Sequence, residues 1–181
     1  MTHGIVSLLA VLGVVGQVVA LVLLVLLLVA RERVREWFWG YELWAAFVVA
    51  AIATGGSLFL SDVAGFVPCE LCWFQRICMY PLSIVTLLAA LANDRRAARY
   101  LLPLPLVGAG ISIYHLLVEN GVVEQAKACL LSAPGGCATK WINEFGYMTI
   151  PTLALTAFVL CAAFLLLGAA RPISAATVSE R

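Results

Sequence analysis

The chain has 181 residues, of which 64% are hydrophobic and 12% are charged, and its formal net charge is +1. Soluble domains carry about 45–50% apolar and about 25% charged residues, so this composition excludes a soluble globular domain and indicates an integral membrane protein. The near-zero net charge says little about binding partners, because the placement of charges is what matters in a membrane chain. We expect no nucleic-acid partner.

Five segments are long and apolar enough to span a bilayer, which takes about 20 apolar residues. They cover residues 4–30, 43–61, 71–93, 100–118 and 145–170, and only the third is interrupted by a charge, at Arg76. The first run is too long for the core of a signal peptide and has no basic start, so we interpret it as a retained helix. The sequence therefore predicts an all-α membrane protein.

Basic residues predict how these helices are oriented. They follow the first, third and fifth segments, whereas the loops on the opposite side contain only Lys127 and Lys140. The basic residues concerned are Arg31, Arg33, Arg35, Arg95, Arg96, Arg99 and Arg171. The positive-inside rule then places the amino terminus outside and the carboxyl-terminal tail, residues 171–181, in the cytoplasm. Both long loops, 62–70 and 119–144, face out.

This topology sorts the six cysteines by depth. Cys78 and Cys161 fall inside helices, where a free cysteine packs as a small hydrophobic residue. The other four lie on the outer side, which is an oxidising compartment in which disulfides persist. Four thiols allow three pairings, and the neighbouring pairs are the natural resting state. These pairs are Cys69 with Cys72 and Cys129 with Cys137.

The spacing of Cys69 and Cys72 closes almost no loop, so it is typical of a redox or metal site rather than a structural brace. Zinc would need two more ligands, most easily Cys129 and Cys137, and an oxidising compartment favours disulfides over free thiolates. Attachment of c-type haem needs a histidine directly after the second cysteine, and Trp73 is there instead. We expect no metal.

The Cys129–Cys137 pair has a simple alternative interpretation as a loop staple. Two features favour a functional role. The glycines beside Cys137 indicate a turn or a flexible tip, and the loop exceeds the about 12–15 residues beyond which loops are usually functional or disordered. Leu130 and Leu131 also place apolar side chains beside Cys129, where the groove of a partner protein could accept them.

Two polar residues at similar depth indicate a ligand site inside the membrane. Cys72 lies near the amino end of its helix, where the helix dipole favours a thiolate, and Arg76 lies one turn deeper on the same face. An intramembrane arginine usually marks a functional site, although snorkelling to the headgroups is the alternative. His115 shares this depth, although a lone helix histidine is often simply packed. A ligand between Arg76 and His115 should be membrane-soluble, polar at its head and able to take two electrons from a dithiol. A quinone has all three properties.

The stretch from Pro68 to Leu82, PCELCWFQRICMYPL, resembles the disulfide bond formation protein B (DsbB) family, especially its shorter Gram-positive-type members. Supporting similarities are Ile113-Tyr114-His115 and the Ile-Pro-Thr-Leu-Ala run that starts at Ile150. The resemblance covers about residues 42–168. It implies a four-helix membrane domain over residues 42–170, and residues 1–41 then add an extra transmembrane helix and a cytoplasmic loop.

The resemblance also implies the activity of a membrane thiol:quinone oxidoreductase. Cys69 and Cys72 would pass two electrons to a quinone, ubiquinone or menaquinone, held by Arg76 and His115. Cys129 and Cys137 would form the second disulfide, which re-oxidises a thioredoxin-like, DsbA-type thiol oxidase outside the bacterial cytoplasmic membrane. We expect deletion of residues 1–40 to leave this activity largely intact.

Two alternatives remain open at this point. A vitamin K epoxide reductase-like protein also couples cysteine pairs to quinones, but its membrane-embedded Cys-x-x-Cys is expected on a late helix, and the fifth helix here has only Cys161. A non-enzymatic membrane scaffold would use its disulfides only to brace the outer loops.

Overall fold

A computed structural model of the chain describes residues 2–38, 40–94 and 96–169. These residues form eight α-helices: α1 (Thr2–Val29), α2 (Arg31–Trp37), α3 (Glu42–Leu58), α4 (Glu70–Leu91), α5 (Ala97–Leu101), α6 (Pro103–Glu119), α7 (Lys127–Ser132) and α8 (Ile150–Ala169). A π-helical turn, Phe59–Val63, extends α3, and a short 3-10 turn, Gly136–Ala138, follows α7. Extended pairing in the described part of the chain is limited to one bridge between Glu144 and Met148.

Five helical stretches are long and apolar enough to cross a membrane, which confirms the predicted all-α membrane fold. They are Gly4–Val29, Glu42–Val63, Glu70–Leu91, Ala97–Glu119 and Ile150–Ala169. The fourth contains two helices, because Pro103 and Pro105 have no backbone N–H and restart the helix after Leu102. The predicted start of the last span at residue 145 is wrong. Phe145 and Gly146 have positive φ values of 55° and 79°, which form a tight turn ahead of α8.

Four of the long helices, α3, α4, α6 and α8, form a bundle around one apolar core. Helix α8 packs against both α3 and α6, with Phe158 and Leu165 fully buried. Gly108 permits the close approach of α6, because a Cβ at this position would overlap the ring of Phe158. This arrangement confirms the four-helix bundle that the sequence predicts.

Helix α1 packs along the outside of the bundle against α8. Its contact side includes Gly13, where an added Cβ would overlap the side chain of Leu153, and Gly16, where it would lie 3.0 Å from Thr156 Cγ2. Most other side chains of α1 are exposed on the protein surface and apolar, as expected for a helix that faces lipid. This is the extra helix that the sequence predicts, and it is attached to the bundle along its length.

The two ends of the bundle differ in their chemistry. Arg33 on α2 and Arg99 on α5 belong to one end, where Arg99 Nε donates a hydrogen bond to the carbonyl of Ala169, 2.9 Å away. The cysteine pairs and the two long loops lie at the other end. Arg95 and Arg171, which contribute to the predicted orientation, lie outside the described residues, as does the predicted tail at 171–181. The orientation in the membrane therefore stays a prediction.

Candidate active site

The Cys-x-x-Cys pair occupies the start of α4. Cys69 is the residue before the first helical turn, with an extended backbone (φ −73°, ψ 173°), and Cys72 lies within that turn. Their sulfur atoms are 3.0 Å apart, which is within hydrogen-bond distance and about 1 Å longer than a disulfide bond. The expected resting disulfide is therefore absent from this pair, and the structure holds its dithiol form. The two sulfurs are close enough to form a disulfide once an acceptor removes two electrons and two protons.

His115 on α6 lies between this pair and the second outer loop, and it is only 3% exposed. Its Nε2 lies 3.1 Å from the backbone oxygen of Cys137 and 3.7 Å from Sγ of Cys69. Because a carbonyl oxygen can only accept, Nε2 carries the proton and donates it. One imidazole N–H therefore faces both cysteine pairs.

The orientation of this imidazole is fixed by a buried polar chain behind it. The Gln75 amide nitrogen lies 3.5 Å from His115 Nδ1 and donates to Ser112 Oγ at 3.1 Å. Ser112 in turn donates to the backbone oxygen of Gly108. Since Gln75 and Ser112 are both buried in the bundle, their hydrogen bonds hold the His115 ring and its tautomer in place.

The same surroundings lower the pKa of the Cys69 thiol well below its usual range. The main cause is the hydrogen bond from the Cys72 thiol, followed by the hydrogen bond from His115, and together they outweigh the opposing effect of burial. The sequence placed the thiolate at Cys72. The structure favours Cys69, because the imidazole of His115 contacts that sulfur.

The second cysteine pair is a disulfide between Cys129 on α7 and Cys137, with Cα atoms 5.3 Å apart. This agrees with the predicted pairing. The loop that carries it folds over the end of α4. The backbone N–H of Glu70 donates to Ser132 Oγ at 3.1 Å, and the N–H of Cys137 donates to Gln125 Oε1, also at 3.1 Å. Cys129 and Cys137 are consequently only 2% and 1% exposed.

A cavity of about 360 Å³ borders Cys72, and it is also lined by Trp141 of the outer loop. Its walls come from α1, α3, α4 and α8 and are mostly apolar. The polar residues nearest Cys72 are Gln75 and Arg76. Such a lining, with a few polar groups at one place, is typical of a site for an apolar ligand with a polar head.

Arg76 is held at the cavity wall by α3. Its Nε donates to Ser57 Oγ and its Nη2 donates to the Ser57 carbonyl oxygen, both at 3.0 Å. The guanidinium carbon also lies 5.2 Å from the centre of the Trp73 ring. Two of the five N–H donors of the guanidinium are used in these hydrogen bonds, so the others can serve a ligand.

The structure thus separates the predicted site residues into two groups. Cys69, Cys129, Cys137 and His115 lie together beneath the loop, whereas Arg76 lines the cavity, and Cys72 borders both spaces. His115 does not line the cavity, so its assignment to quinone binding stays a prediction, and its observed contacts are with the thiol chemistry. Cys161 is fully buried, as expected of a packing residue.

Sequence reasoning missed the residues that position this site. Gln75, Ser112 and Ser57 are polar residues in helices that span the membrane, and the rarity of such residues in hydrocarbon was the available signal. Glu119 is a further case, since it is buried at the end of α6 and accepts a hydrogen bond from Thr149 Oγ1 at 2.8 Å.

Potential metal ligands in the described residues include one cluster, in which the ligand atoms of Cys69, Cys72 and His115 lie within 4.8 Å of one another. The zinc alternative needed Cys129 and Cys137 as thiolates, and the structure joins those two sulfurs to each other. Structural zinc takes four protein ligands, whereas a thiolate beside a second thiol and an imidazole also suits thiol–disulfide exchange.

Comparison with known proteins gives a match of residues 40–168 to the family described as disulfide bond formation protein DsbB. The chain belongs to the DsbB family. Disulfide bond formation protein C of Bacillus subtilis is 45% identical over 130 residues, which cover 69% of this chain and 90% of that protein. A probable disulfide formation protein of Deinococcus radiodurans is 41% identical over 132 residues, covering 68% of this chain and 85% of its own length.

A probable disulfide formation protein C 1 of Bacillus anthracis is 39% identical over 137 residues, covering 72% of this chain and 91% of that protein. No solved structure gives a significant match. The DsbB match begins at residue 40, so it includes α3 to α8, while α1 and α2 precede it.

Proposed function

We propose that this DsbB-family membrane protein is a thiol:quinone oxidoreductase that re-oxidises a thioredoxin-like thiol oxidase. The observation that carries the proposal is the position of the Cys69–Cys72 pair between two different spaces. On one side, His115 links Cys69 to the loop disulfide, and on the other, Cys72 borders the cavity that contains Arg76. A pair in this position can receive electrons from one side and release them to the other.

The first half of the reaction is disulfide exchange at the loop. A thiolate of the reduced partner attacks one sulfur of Cys129–Cys137, which forms a mixed disulfide and releases the other cysteine as a thiolate. The second thiol of the partner then displaces the mixed disulfide. The partner leaves oxidised, and Cys129 and Cys137 have gained two electrons and two protons.

The second half moves the electrons inwards. A loop thiolate attacks the Cys69–Cys72 disulfide, and the second loop thiol resolves the intermediate, so the loop disulfide is restored and the inner pair is reduced. His115 supports this transfer because its N–H lies beside Cys69 and Cys137, where it stabilises the thiolate released at Cys69.

The residues around the cavity fit a quinone. The apolar walls match an isoprenoid tail, and Arg76 has N–H donors available for a carbonyl oxygen. A bound quinone would accept two electrons and two protons from the inner dithiol. Ser57 holds the guanidinium at the cavity wall through two hydrogen bonds, where it would be available to a carbonyl oxygen of the quinone.

Partner and location follow from the loop and from the basic residues. Leu130 and Leu131 on α7 are 54% and 89% exposed beside the buried Cys129, so they form an apolar surface where the thioredoxin-like partner can dock. The arginines at the opposite end favour the bacterial cytoplasmic membrane with both cysteine pairs outside. The amino terminus would then also lie outside.

The proposal is tested by replacing Arg76 with Ala and measuring two half-reactions. Arg76→Ala removes the binding free energy of a hydrogen bond from a charged donor, so we expect the KM for quinone to rise roughly 10- to 100-fold. Exchange with the reduced partner in the absence of quinone should be unchanged. Arg76→Lys should recover only part of the loss, because lysine lacks the planar fork.

Arg33→Ala is the matched control, since Arg33 is exposed on α2 and does not contribute to the cavity lining. The proposal fails if wild-type protein reduces no quinone when supplied with reduced partner. It also fails if the Arg76 variants and the control give the same KM.

A further inference from the structure

The cavity beside Arg76 is closed by α8 and open on the side away from it. Its lining residues on α8 include Phe158 and Leu160, which are both buried. Its lining also includes Val15 on α1, which is 53% exposed, and Ile52 on α3, which is 48% exposed. A side chain that lines a cavity and is also exposed lies at the edge of an opening. The cavity therefore has a lateral opening between α1 and α3, where the two helices face lipid.

The other exposed residues of the lining agree with this position. Leu12 and Val19 lie on α1, about one turn to either side of Val15, and Val67 lies at the outer end of the cavity. All of these side chains are apolar, and α1 has no charged residue between Gly4 and Val29. The edge of the lateral opening is therefore suited to a hydrocarbon chain.

The lateral opening is closed at both ends. At the outer end, Leu9 reaches α3, since its Cδ2 atom lies 3.1 Å from the point where a Cβ on Gly56 would be. At the inner end, Leu23 is buried in the main apolar core, which also contains Ala46 and Ala50 of α3. Leu9 and Leu23 are 14 positions apart, which corresponds to about 21 Å along a helix. The lateral opening is thus confined to the middle of α1.

Helix α1 is held in this position by α8. Gly13 and Gly16 let α1 approach Leu153 and Thr156 of α8 closely, as small residues do where helices pack in a membrane. This packing leaves the edge of α1 that faces α3 free to border the lateral opening. The DsbB match begins at residue 40, so the lateral opening depends on a helix that precedes the matched part of the chain.

The size of the cavity limits how much of a ligand it can hold. Its volume of about 360 Å³ lies near the lower end of the roughly 300–1,000 Å³ that is usual for pockets that bury a drug-sized ligand. A quinone ring is smaller than such a ligand, whereas a tail of several isoprenoid units adds far more volume than the ring. The tail of a ring bound in this cavity needs a path out of it.

We propose that the quinone tail leaves the cavity through the lateral opening, between Val15 of α1 and Ile52 of α3. The inference rests on the proposed quinone site and adds the path of the tail. The ring lies inside near Arg76, and the tail continues between the two helices into the surrounding lipid. Helix α1 then forms one wall of the tail path, which makes Val15 a residue that determines which tails can bind.

The test narrows the lateral opening with a bulky side chain. Val15→Trp and Ile52→Trp place an indole in the tail path, and the fold can accommodate it because both positions are exposed. The probes are two 1,4-benzoquinones with the same ring, one with a long isoprenoid tail and one with a methyl group in its place. Equilibrium binding is measured in lipid nanodiscs at known ratios of quinone to lipid. From the usual cost of overpacking, we expect the affinity for the long-tail quinone to fall roughly five- to 100-fold. The affinity for the tail-free quinone should be unchanged.

Val18→Trp and Val48→Trp are the matched controls. Val18 on α1 is 57% exposed and Val48 on α3 is 49% exposed, and neither contributes to the cavity lining. These variants add the same indole to the lipid-facing surface of the same two helices, so both affinities should stay at the wild-type values. Equal losses for the two quinones in Val15→Trp and Ile52→Trp overturn the inference, as do equal losses in these variants and the controls.

The wild-type protein, measured in the same assay, distinguishes this inference from the proposed function. If the wild type binds both quinones and the variants at Val15 and Ile52 bind the long-tail quinone equally well, the tail takes another path and only the inference fails. If those variants instead lose a co-purifying phospholipid and keep their quinone affinity, the lateral opening holds a lipid chain, which also overturns the inference. If the wild type binds neither quinone, the proposed function itself fails, and the inference fails with it.

Discussion

Nε2 of His115 lies 3.7 Å from Sγ of Cys69, although the two residues are 46 positions apart in the chain. The same nitrogen donates to the carbonyl of Cys137. One side chain of α6 thus contacts both redox pairs, so the position of the loop and the reactivity of the inner thiol depend on a common group.

The first prediction concerns the pH dependence of Cys69. Its pKa is lowered, so the thiolate should persist to lower pH than in an ordinary thiol, and its alkylation should slow only as the pH falls through that lowered value. We expect the midpoint to move to higher pH in Cys72→Ala, which removes the main stabilising hydrogen bond, and by a smaller amount in His115→Ala. The measurement is the rate of alkylation against pH in protein that lacks Cys129 and Cys137.

Cys161→Ala serves as the control in this experiment, because Cys161 is fully buried far along α8 and should not affect the profile. A midpoint in the usual thiol range, at about pH 8.5, would contradict the assignment of the thiolate to Cys69.

The second prediction concerns the partner. In Cys137→Ser, Cys129 is a free thiol, and its thiolate can attack the disulfide of the oxidised thioredoxin-like protein, which forms a mixed disulfide and releases one partner thiolate. We expect this adduct to accumulate, because no second loop thiol remains to displace it. Non-reducing electrophoresis after acid quenching should show an adduct of the combined mass in this variant. If the adduct forms only in Cys129→Ser, the two cysteines have the opposite roles, and if neither variant forms it, the loop disulfide is a brace.

The third prediction concerns α1. Because α1 contributes Leu9, Gly13 and Gly16 to the cavity lining, we expect Gly13→Leu to displace the helix from Leu153 and raise the KM for quinone several-fold. Gly4→Leu is the matched control, since an added Cβ there meets no atom within 4 Å. Deletion of residues 1–40 should have a similar or larger effect on quinone while leaving partner exchange intact. An unchanged KM in the deletion would support the sequence-based expectation that α1 is dispensable.

The fourth prediction concerns the loop. Gln125→Ala removes the acceptor for the N–H of Cys137, and one neutral hydrogen bond corresponds to roughly two- to tenfold in an equilibrium constant. We expect the Cys129–Cys137 disulfide to react faster with a small thiol by about this factor. Glu124→Ala, an exposed neighbour, should leave the rate unchanged. Equal rates in both variants would show that Gln125 does not hold the loop closed.

Hydropathy alone predicted the number of membrane spans, because each is a long apolar run, with a charge only at Arg76 in the third, and such a backbone can satisfy its hydrogen bonds in the membrane as a helix. Their ends were less accurate. The last span begins at Ile150 rather than at residue 145. The positive φ of Phe145 is incompatible with a right-handed helix, although its side chain is apolar. A hydrophobicity profile does not register a turn made of apolar residues.

The site was predictable in its chemistry but not in its arrangement. Counting residues along helices placed Arg76 and His115 at similar depth, and depth carries no information about direction around the bundle axis. The packing of α6 against α4 turns His115 towards Cys69 and away from the cavity. The contribution of α1 was also missed, because only the helix crossing at Gly13 and Gly16 brings it to the cavity wall.

The near-complete burial of Cys129 and Cys137 affects which thiols can reach their disulfide. An exposed disulfide would exchange with any dissolved thiol that reached it. Cys129 and Cys137 are only 2% and 1% exposed, so a dissolved thiol can attack their disulfide only after the loop moves aside. Access to the disulfide therefore limits which thiols can react with it.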